Sequence, residues 1–178
     1  ALNEIPTQMI HNDANDNNIL VDENGVVSGL IDYGDMIYGH RITELAIACC
    51  YTMCDQADPI AAVMPLVAGY HSVLALTDQE LRLLYDLILT RIASSMCMAA
   101  RQIDADPGNE YLLVSQQAMH QLLKTLWGEN RTLSYFRFRS ACGLSPNPDT
   151  PAIERWLQTH RSECASICNF DLSDENNL

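Results

Sequence analysis

Hydrophobic and polar positions are arranged differently in the first forty residues than in the rest of the chain. Two short apolar runs, at 19–21 and 26–31, flank the polar tetrapeptide Asp22-Glu23-Asn24-Gly25. Asn-Gly between apolar runs is the strongest short-range hairpin signal, because both residues adopt positive φ readily. The sequence therefore predicts a β-hairpin with strands at 19–21 and 26–31.

From residue 42 onward the apolar positions recur at helical spacing. A first helix is predicted by a single apolar stripe: Ile42, Leu45, Ala46, Cys49 and Met53. Asp58-Pro59 reads as the N-cap and first residue of a second helix that runs to about 72. A capping box, Thr77-Asp78-Gln79-Glu80, opens a long helix toward Arg101. Its apolar stripe is Leu81, Leu84, Tyr85, Ile88, Ile92 and Met96.

Further helices are expected at 110–127, after the break Asp106-Pro107-Gly108-Asn109, and at 132–142 and 152–160. The predicted fold is mainly α with a small β-hairpin. We expect one domain over 1–168, in which 1–40 form the loops and hairpin and 41–168 form a helical body. The polar, acidic residues 169–178 are expected to be a loose tail or linker.

Composition narrows the function classes. The 178 residues carry a net charge of −13, and Lys124 is the only lysine. Such a field repels nucleic acid and anionic membranes and attracts cations, although it can also serve solubility alone. The chain has no uninterrupted apolar run of about 18 residues and no basic-then-apolar start, so we expect no membrane span and no signal peptide.

The seven cysteines are an odd number, form no CxxC pair and have no histidine at finger-like spacing. We therefore expect most of them to be small buried apolar residues in a reducing compartment, rather than metal or redox ligands. Together with the missing signal peptide, this predicts a cytoplasmic location.

Candidate chemistry is concentrated in two short polar segments on either side of the hairpin. His11, Asp13 and Asn18 have the spacing H-x-D-x-x-x-x-N of the protein-kinase catalytic loop, and Asp32 follows the second strand. The paired strands return Asp32 to the neighbourhood of Asn18. Hard oxygen donors suit Mg²⁺, and Asp13 would remain free to accept a proton from an attacking hydroxyl. A plain polar turn is the alternative, which the adjoining hairpin disfavours.

The same stretch resembles the aminoglycoside phosphotransferase/choline kinase family of small-molecule kinases. The family pattern H-G-D-x-x-x-x-N-I-L-V reads here H-N-D-A-N-D-N-N-I-L-V, followed by G-L-I-D-Y-G-D-M and then R-I-T-E-L-A-I-A. Within the family the stretch looks most like hydroxylysine-kinase-like members and a kinase-like domain fused to class III aminotransferases. The resemblance is specific over 9–54, and implies the helical C-terminal lobe of a protein-kinase-like fold.

By resemblance, Asp13 would be the catalytic base, and Asn18 and Asp32 would ligate Mg²⁺. His11 would support the catalytic loop, and Glu44 would anchor it from the first helix. Asp35 is a possible secondary metal ligand, although we expect it to hydrogen-bond within its own short loop. The resemblance also implies ATP or GTP as phosphate donor, and a small hydroxylated substrate, which the acidic body suggests is cationic.

The family's N-terminal lobe has no counterpart in this sequence. No glycine-rich loop precedes His11, and no lysine precedes Lys124. We therefore expect this chain to be a C-terminal lobe that is inactive alone, with the N-terminal lobe of the same protein as its partner. The alternative is a non-catalytic regulatory or docking module of a larger enzyme. The family usually has glycine in place of Asn12, and Asp is commoner than Glu44.

Overall fold

The structure is a computed structural model that describes residues 4–105, 110–161 and 163. Four short strands come first: β1 (Thr7–Ile10), β2 (Ile19–Val21), β3 (Val27–Leu30) and β4 (Ile37–His40). Six helices follow: α1 (Arg41–Met53), α2 (Pro59–Val73), α3 (Asp78–Ala105), α4 (Glu110–Trp127), α5 (Arg131–Ala141) and α6 (Thr150–Thr159). The mainly α fold with a small β portion is thus confirmed. The predicted chain break at 106–109 and the tail at 169–178 lie outside the described residues.

The predicted hairpin is confirmed as the antiparallel pair β2–β3, with Ile19 opposite Leu30 and a bulge near Val21. Gly25 adopts φ 77°, the left-handed conformation that the turn requires. The Asp22 carboxylate accepts hydrogen bonds from the backbone N–H groups of Asn24 and Val26, both at 2.9 Å. The side chain before the Asn-Gly pair therefore closes the turn as well.

A second antiparallel pair, β1–β4, is absent from the sequence-based prediction. Thr7 lies opposite His40 and Ile10 opposite Ile37. No turn signal joins these strands, because the whole segment 11–36 lies between them. Their pairing holds both ends of that segment at one place, beside the first turn of α1.

The helical body forms around the predicted apolar stripes. α1 packs against α2 and α3, and α3 also packs against α4 and α5. Every residue of the α1 stripe is buried, as are five of the six predicted in α3, while Met96 is partly buried. Phe138 of α5 and Leu126 of α4 complete the core. One core thus integrates the described helices α1 to α5.

By length and composition alone, Asp78–Ile103 of α3 could cross a membrane, with a mean hydropathy of 1.4. Leu81, Leu84, Ile88 and Ile92 of this segment are nevertheless fully buried in the protein core. Only 22% of the qualifying window is buried, so core packing accounts for part of its apolar content, and one such helix is weak evidence for a membrane span.

The helix starts follow the predicted capping chemistry. Asp58 Oδ1 accepts from Ala61 N at 2.9 Å at the start of α2. At the start of α3, Thr77 N donates to Glu80 Oε2 at 2.8 Å and Glu80 N donates to Thr77 Oγ1 at 3.2 Å. These reciprocal bonds satisfy N–H groups that a helix leaves unpaired.

The capping carboxylate of Glu80 also forms a buried ion pair that connects α1 to α3. Glu80 is fully buried, and its two oxygens accept from Nε and Nη2 of Arg41, each at 2.8 Å. Arg41 Nη2 also donates to the Ala75 carbonyl at 2.7 Å. Burial opposes ionisation of Glu80, but the hydrogen bonds from Arg41 and Thr77 outweigh it and keep its pKa below the ordinary 4.5.

Replacing Glu80 with glutamine should destabilise the protein by about 3–5 kcal/mol, because the Arg41 charge, on a side chain only 13% exposed, loses its partner. The group with the lowered pKa contributes stability above pH 4.5, and this contribution declines as the pH falls through the folded-state value. The difference in the free energy of unfolding between wild type and Glu80→Gln should therefore become smaller below about pH 4.5. Urea unfolding at pH 7 and at pH 3.5 measures both effects.

The matched control is Glu154→Gln, because Glu154 is exposed on α6. This variant should unfold like wild type at both pH values. Equal stability of wild type and Glu80→Gln at pH 7 would contradict the assigned importance of the ion pair.

Candidate active site

The loop that follows β1 takes a left-handed turn at its second residue. Asn12 has φ 67°, a conformation that asparagine tolerates better than most residues with a side chain. Its backbone N–H donates to Glu44 Oε2 at 2.8 Å. Glu44 lies in the first turn of α1, so the helix holds the loop at this turn.

His11 connects the same loop to the end of the hairpin. The ring is buried at 6% exposure, and its Nε2 lies 2.8 Å from the Ile31 carbonyl. Because a carbonyl only accepts, Nε2 carries the proton. The ring also packs edge-on against Tyr33, with 5.1 Å between ring centroids. His11 thus fixes the position of the residue that precedes Asp32.

The Asp13 carboxylate is held by donors from two directions. Oδ2 accepts from Asn15 Nδ2 at 3.0 Å and from Asn18 Nδ2 at 3.3 Å, both within the loop. Oδ1 accepts from Arg91 Nη2, on α3, at 2.7 Å. The Asp13 side chain remains 24% exposed, so a small molecule can approach it.

Asn18 is buried at 8% exposure, and its orientation is set by Asp13. Its Nδ2 donates to the Asp13 carbonyl at 2.9 Å. The amide donor is thereby used inside the loop, and Oδ1 has no hydrogen-bond partner among the described residues. The Asn18 carbonyl accepts from Ile31 N at 2.9 Å, so the hairpin places Asp32 one residue beyond a bond to Asn18.

Asp32 itself has φ 62° and ψ 66°, a left-handed conformation with an energetic cost for a residue with a side chain. It is exposed, and its carboxylate makes no hydrogen bond within the described part of the chain. Asp35 follows in a short 3₁₀ turn, Tyr33–Asp35, and is also exposed. The structure therefore joins Asp13 to Asn18 directly, whereas Asp32 is brought near through the backbone only.

The oxygen donors of the site suit a hard divalent cation whose coordination is completed by a second bound molecule. In the described residues, no three His, Cys, Asp or Glu side chains are grouped to hold a metal. Within the described residues, Asn18 Oδ1 and the Asp32 carboxylate make no hydrogen bond, so both oxygens are available to a cation whose other ligands are phosphate oxygens and water. These residues fit Mg²⁺ bound together with a nucleotide.

Sequence reasoning missed three side chains in the loop's surroundings. Asn15 is buried at 9% exposure and its Nδ2 donates to Asp13, although the sequence motif assigns it no role. Arg91 and Tyr51 come from α3 and α1, and the pattern gives no signal that they approach Asp13. The only available hint was an arginine beside the apolar stripe of α3, at a position next to Ile92.

The cysteine expectation holds only in part. Cys49 and Cys50 are buried, Cys54 and Cys142 are intermediate, and Cys97 is exposed; these five are free. Burial raises the pKa of the Cys50 thiol to about 12, so this thiol is inert near neutral pH. Cys164 and Cys168 lie outside the described residues.

Comparison with known proteins agrees with the geometry. Hydroxylysine kinases from Xenopus laevis and Mus musculus are each 38% identical to this chain over 126 residues. The alignments cover 65% and 66% of this chain but only 34% of each relative, so the chain spans about a third of their length. The hydroxylysine kinase of Danio rerio is 36% identical over 122 residues. No solved structure matches.

The family comparison concerns the segment that contains the site. Residues 1–84 match the phosphotransferase enzyme family. This range includes the loop with Asp13 and Asn18, both strand pairs, Asp32, and helices α1 and α2. Over these residues the chain is similar to the phosphotransferase enzyme family, and this match supports a kinase-like assignment of the segment that contains the site.

Proposed function

We propose that this chain is the C-terminal lobe of a small-molecule kinase, which transfers the γ-phosphate of a nucleotide to a substrate hydroxyl. The observation that carries the proposal is the loop in which Asp13 and Asn18 fix each other. This arrangement leaves the Asp13 carboxylate accessible and the Asn18 amide oxygen without a partner among the described residues. Phosphoryl transfer needs mainly such positioning and charge neutralisation.

In this proposal Asp13 is the catalytic residue that orients the substrate hydroxyl and accepts its proton. Asn15, Asn18 and Arg91 hold the carboxylate, so it would not need to reorganise when the substrate arrives. His11 and Glu44 act indirectly, because they fix the start of the loop at residues 11 and 12.

Asn18 and Asp32 would hold Mg²⁺ together with the phosphates of ATP or GTP. The cation would neutralise charge on the transferred phosphoryl group. The chain's own part is to present two oxygen donors at adjacent ends of the hairpin. The left-handed backbone of Asp32 is consistent with a functional constraint on this carboxylate.

The proposed partner is the remainder of the same protein, which would cover the strands and supply the phosphate-binding groups. Large apolar side chains are exposed throughout β2, at the start of β3 and on β4: Ile19, Leu20, Val21, Val27, Ile37 and Tyr38. Contiguous exposed apolar surface is uncommon in monomers unless another element covers it. The relatives are about three times as long as the matched segment, so they contain enough chain to do so.

The proposed substrate class is a hydroxylated amino acid or amine of the hydroxylysine type. The named activity of the relatives supports this class, and the net charge of −13 is compatible with a cationic substrate. We also propose a cytoplasmic location, since the five described cysteines are free thiols.

In the complete protein, Asp13→Asn should lower kcat by about 10²–10⁴, the usual range for loss of a general base, and leave nucleotide binding intact. Nucleotide consumption with hydroxylysine, choline, homoserine and aminoglycosides measures turnover, and calorimetry measures binding. The control is Asp16→Asn, an exposed carboxylate in the same loop, which should keep full activity. Unchanged turnover in Asp13→Asn would exclude the base role.

Asp32→Ala should weaken Mg²⁺-nucleotide binding as well as turnover, because it removes one of the two proposed ligands. Titration with Mg²⁺ at fixed ATP should show at least a tenfold higher requirement, about 1.4 kcal/mol. Glu23→Ala, at the exposed tip of the hairpin, is the matched control and should behave like wild type. Identical Mg²⁺ dependence of Asp32→Ala and wild type would refute the metal assignment.

The 178 residues alone should show no kinase turnover, because no described residue near the site would grip the β- and γ-phosphates. Adding the separately expressed remainder of the protein should restore activity. Robust turnover by this chain alone would disprove the partner proposal. A complete protein that binds nucleotide but phosphorylates none of the tested compounds would favour a non-catalytic module.

A further inference from the structure

Arg91 reaches the proposed catalytic carboxylate from a helix outside the family-matched segment. It lies on α3, beyond residue 84, and its Nη2 donates to Asp13 Oδ1 at 2.7 Å. The two side chains are 22% and 24% exposed, so the pair is partly shielded from solvent. Within the described residues, Arg91 is the one cation that bonds Asp13.

Arg91 is itself held in place by α1. The same Nη2 donates to the Tyr51 hydroxyl at 3.0 Å, and the guanidinium carbon lies 5.6 Å from the centre of the Tyr51 ring. Burial opposes the charge, but the interactions with Tyr51 and Asp13 outweigh it and raise the pKa of Arg91. The guanidinium therefore stays charged at any physiological pH.

This pair is poorly explained as a contribution to folding. Arg91 Nε is buried without a hydrogen-bond partner, and the neighbouring positions Ile88 and Ile92 are fully buried apolar residues. A partly buried ion pair is often no more stabilising than an apolar side chain of similar volume, because desolvation offsets the attraction. The pair's clearer effect is to fix the rotamer of Asp13, on the side opposite Asn15 and Asn18.

We propose that Arg91 is a positioning residue for Asp13, and that Tyr51 is the support that aims it. The inference rests on the proposed function, and adds to it a residue of the helical body that orients the catalytic carboxylate. Arg91 holds Oδ1, while Asn15 and Asn18 hold Oδ2. The carboxylate is thereby kept in one orientation before the substrate binds. Displacement of a reacting group by about 1 Å can cost about 10²-fold in rate.

The test uses the complete protein and separates kcat from KM. Arg91→Met should lower kcat about 10–100-fold, while the KM for Mg²⁺-nucleotide changes less than about twofold, because Asn18 and Asp32 are untouched. Arg91→Lys should recover most of the loss, since it restores a cation near Asp13. Tyr51→Phe keeps the ring and removes the hydroxyl, so its loss should be smaller, about 2–5-fold, as for one supporting hydrogen bond.

The matched control is Arg82→Met on the same helix, whose arginine is exposed and pairs with Asp78. This variant should keep the wild-type kcat. Thermal unfolding of every variant identifies any that lose activity only through instability. If Arg91→Met does not fold, the Arg91→Lys and Tyr51→Phe variants decide the question through their kcat values.

A folded Arg91→Met with wild-type kcat overturns this inference. The inference is also overturned if Arg91→Lys has no higher kcat than Arg91→Met and the loss of kcat in both variants follows their loss of thermal stability. In either case, a strong effect of Asp13→Asn leaves the proposed function standing. Failure of Asp13→Asn to affect turnover instead removes the proposed function, and this inference with it.

Discussion

The pairing of β1 with β4 is the constraint on which the site depends. These strands hold the two ends of segment 11–36 together beside α1, so this segment folds as one large loop that begins and ends at the same place. Within this segment, β2 and β3 pair as a hairpin and bring residues 18 and 31 together. The loop with Asp13 and the loop with Asp32 are what remains between the two strand pairs. The two loops are neighbours because both strand pairs form, although neither loop has regular structure of its own apart from one short turn.

Side-chain hydrogen bonds then turn this closure into a defined geometry. Glu44 binds the left-handed turn at Asn12, and His11 binds the carbonyl of Ile31, the residue that follows β3. Both bonds connect the loop to elements that are fixed elsewhere, one to a helix and one to a strand pair. His11 and Asn18 are both buried, and each uses one polar group inside the site: His11 Nε2 bonds the Ile31 carbonyl and Asn18 Nδ2 bonds the Asp13 carbonyl. The loop is thus rigid where chemistry would need it.

The few cations of this acidic chain are used at particular carboxylates. Arg41 pairs with the buried Glu80 between α1 and α3, and Arg139 pairs with Asp78 at the start of α3. Arg91 pairs with Asp13 through a single hydrogen bond at a partly exposed site. The net charge of −13 therefore describes the surface field, whereas the local environment of the proposed catalytic carboxylate contains a cation.

The sequence by itself determined the local structure: the Asn24-Gly25 hairpin, the apolar stripe of α1, and the caps at Asp58 and Thr77. Each of these depends on residues close in sequence, through turn geometry, helical periodicity or reciprocal capping bonds. The spacing of His11, Asp13 and Asn18 likewise identified the loop. Only the tertiary structure decided that β1 pairs with β4, and that Arg91 and Tyr51 surround Asp13. Contacts between residues tens of positions apart leave no periodic or local signal, because they arise from how whole helices pack around a shared core.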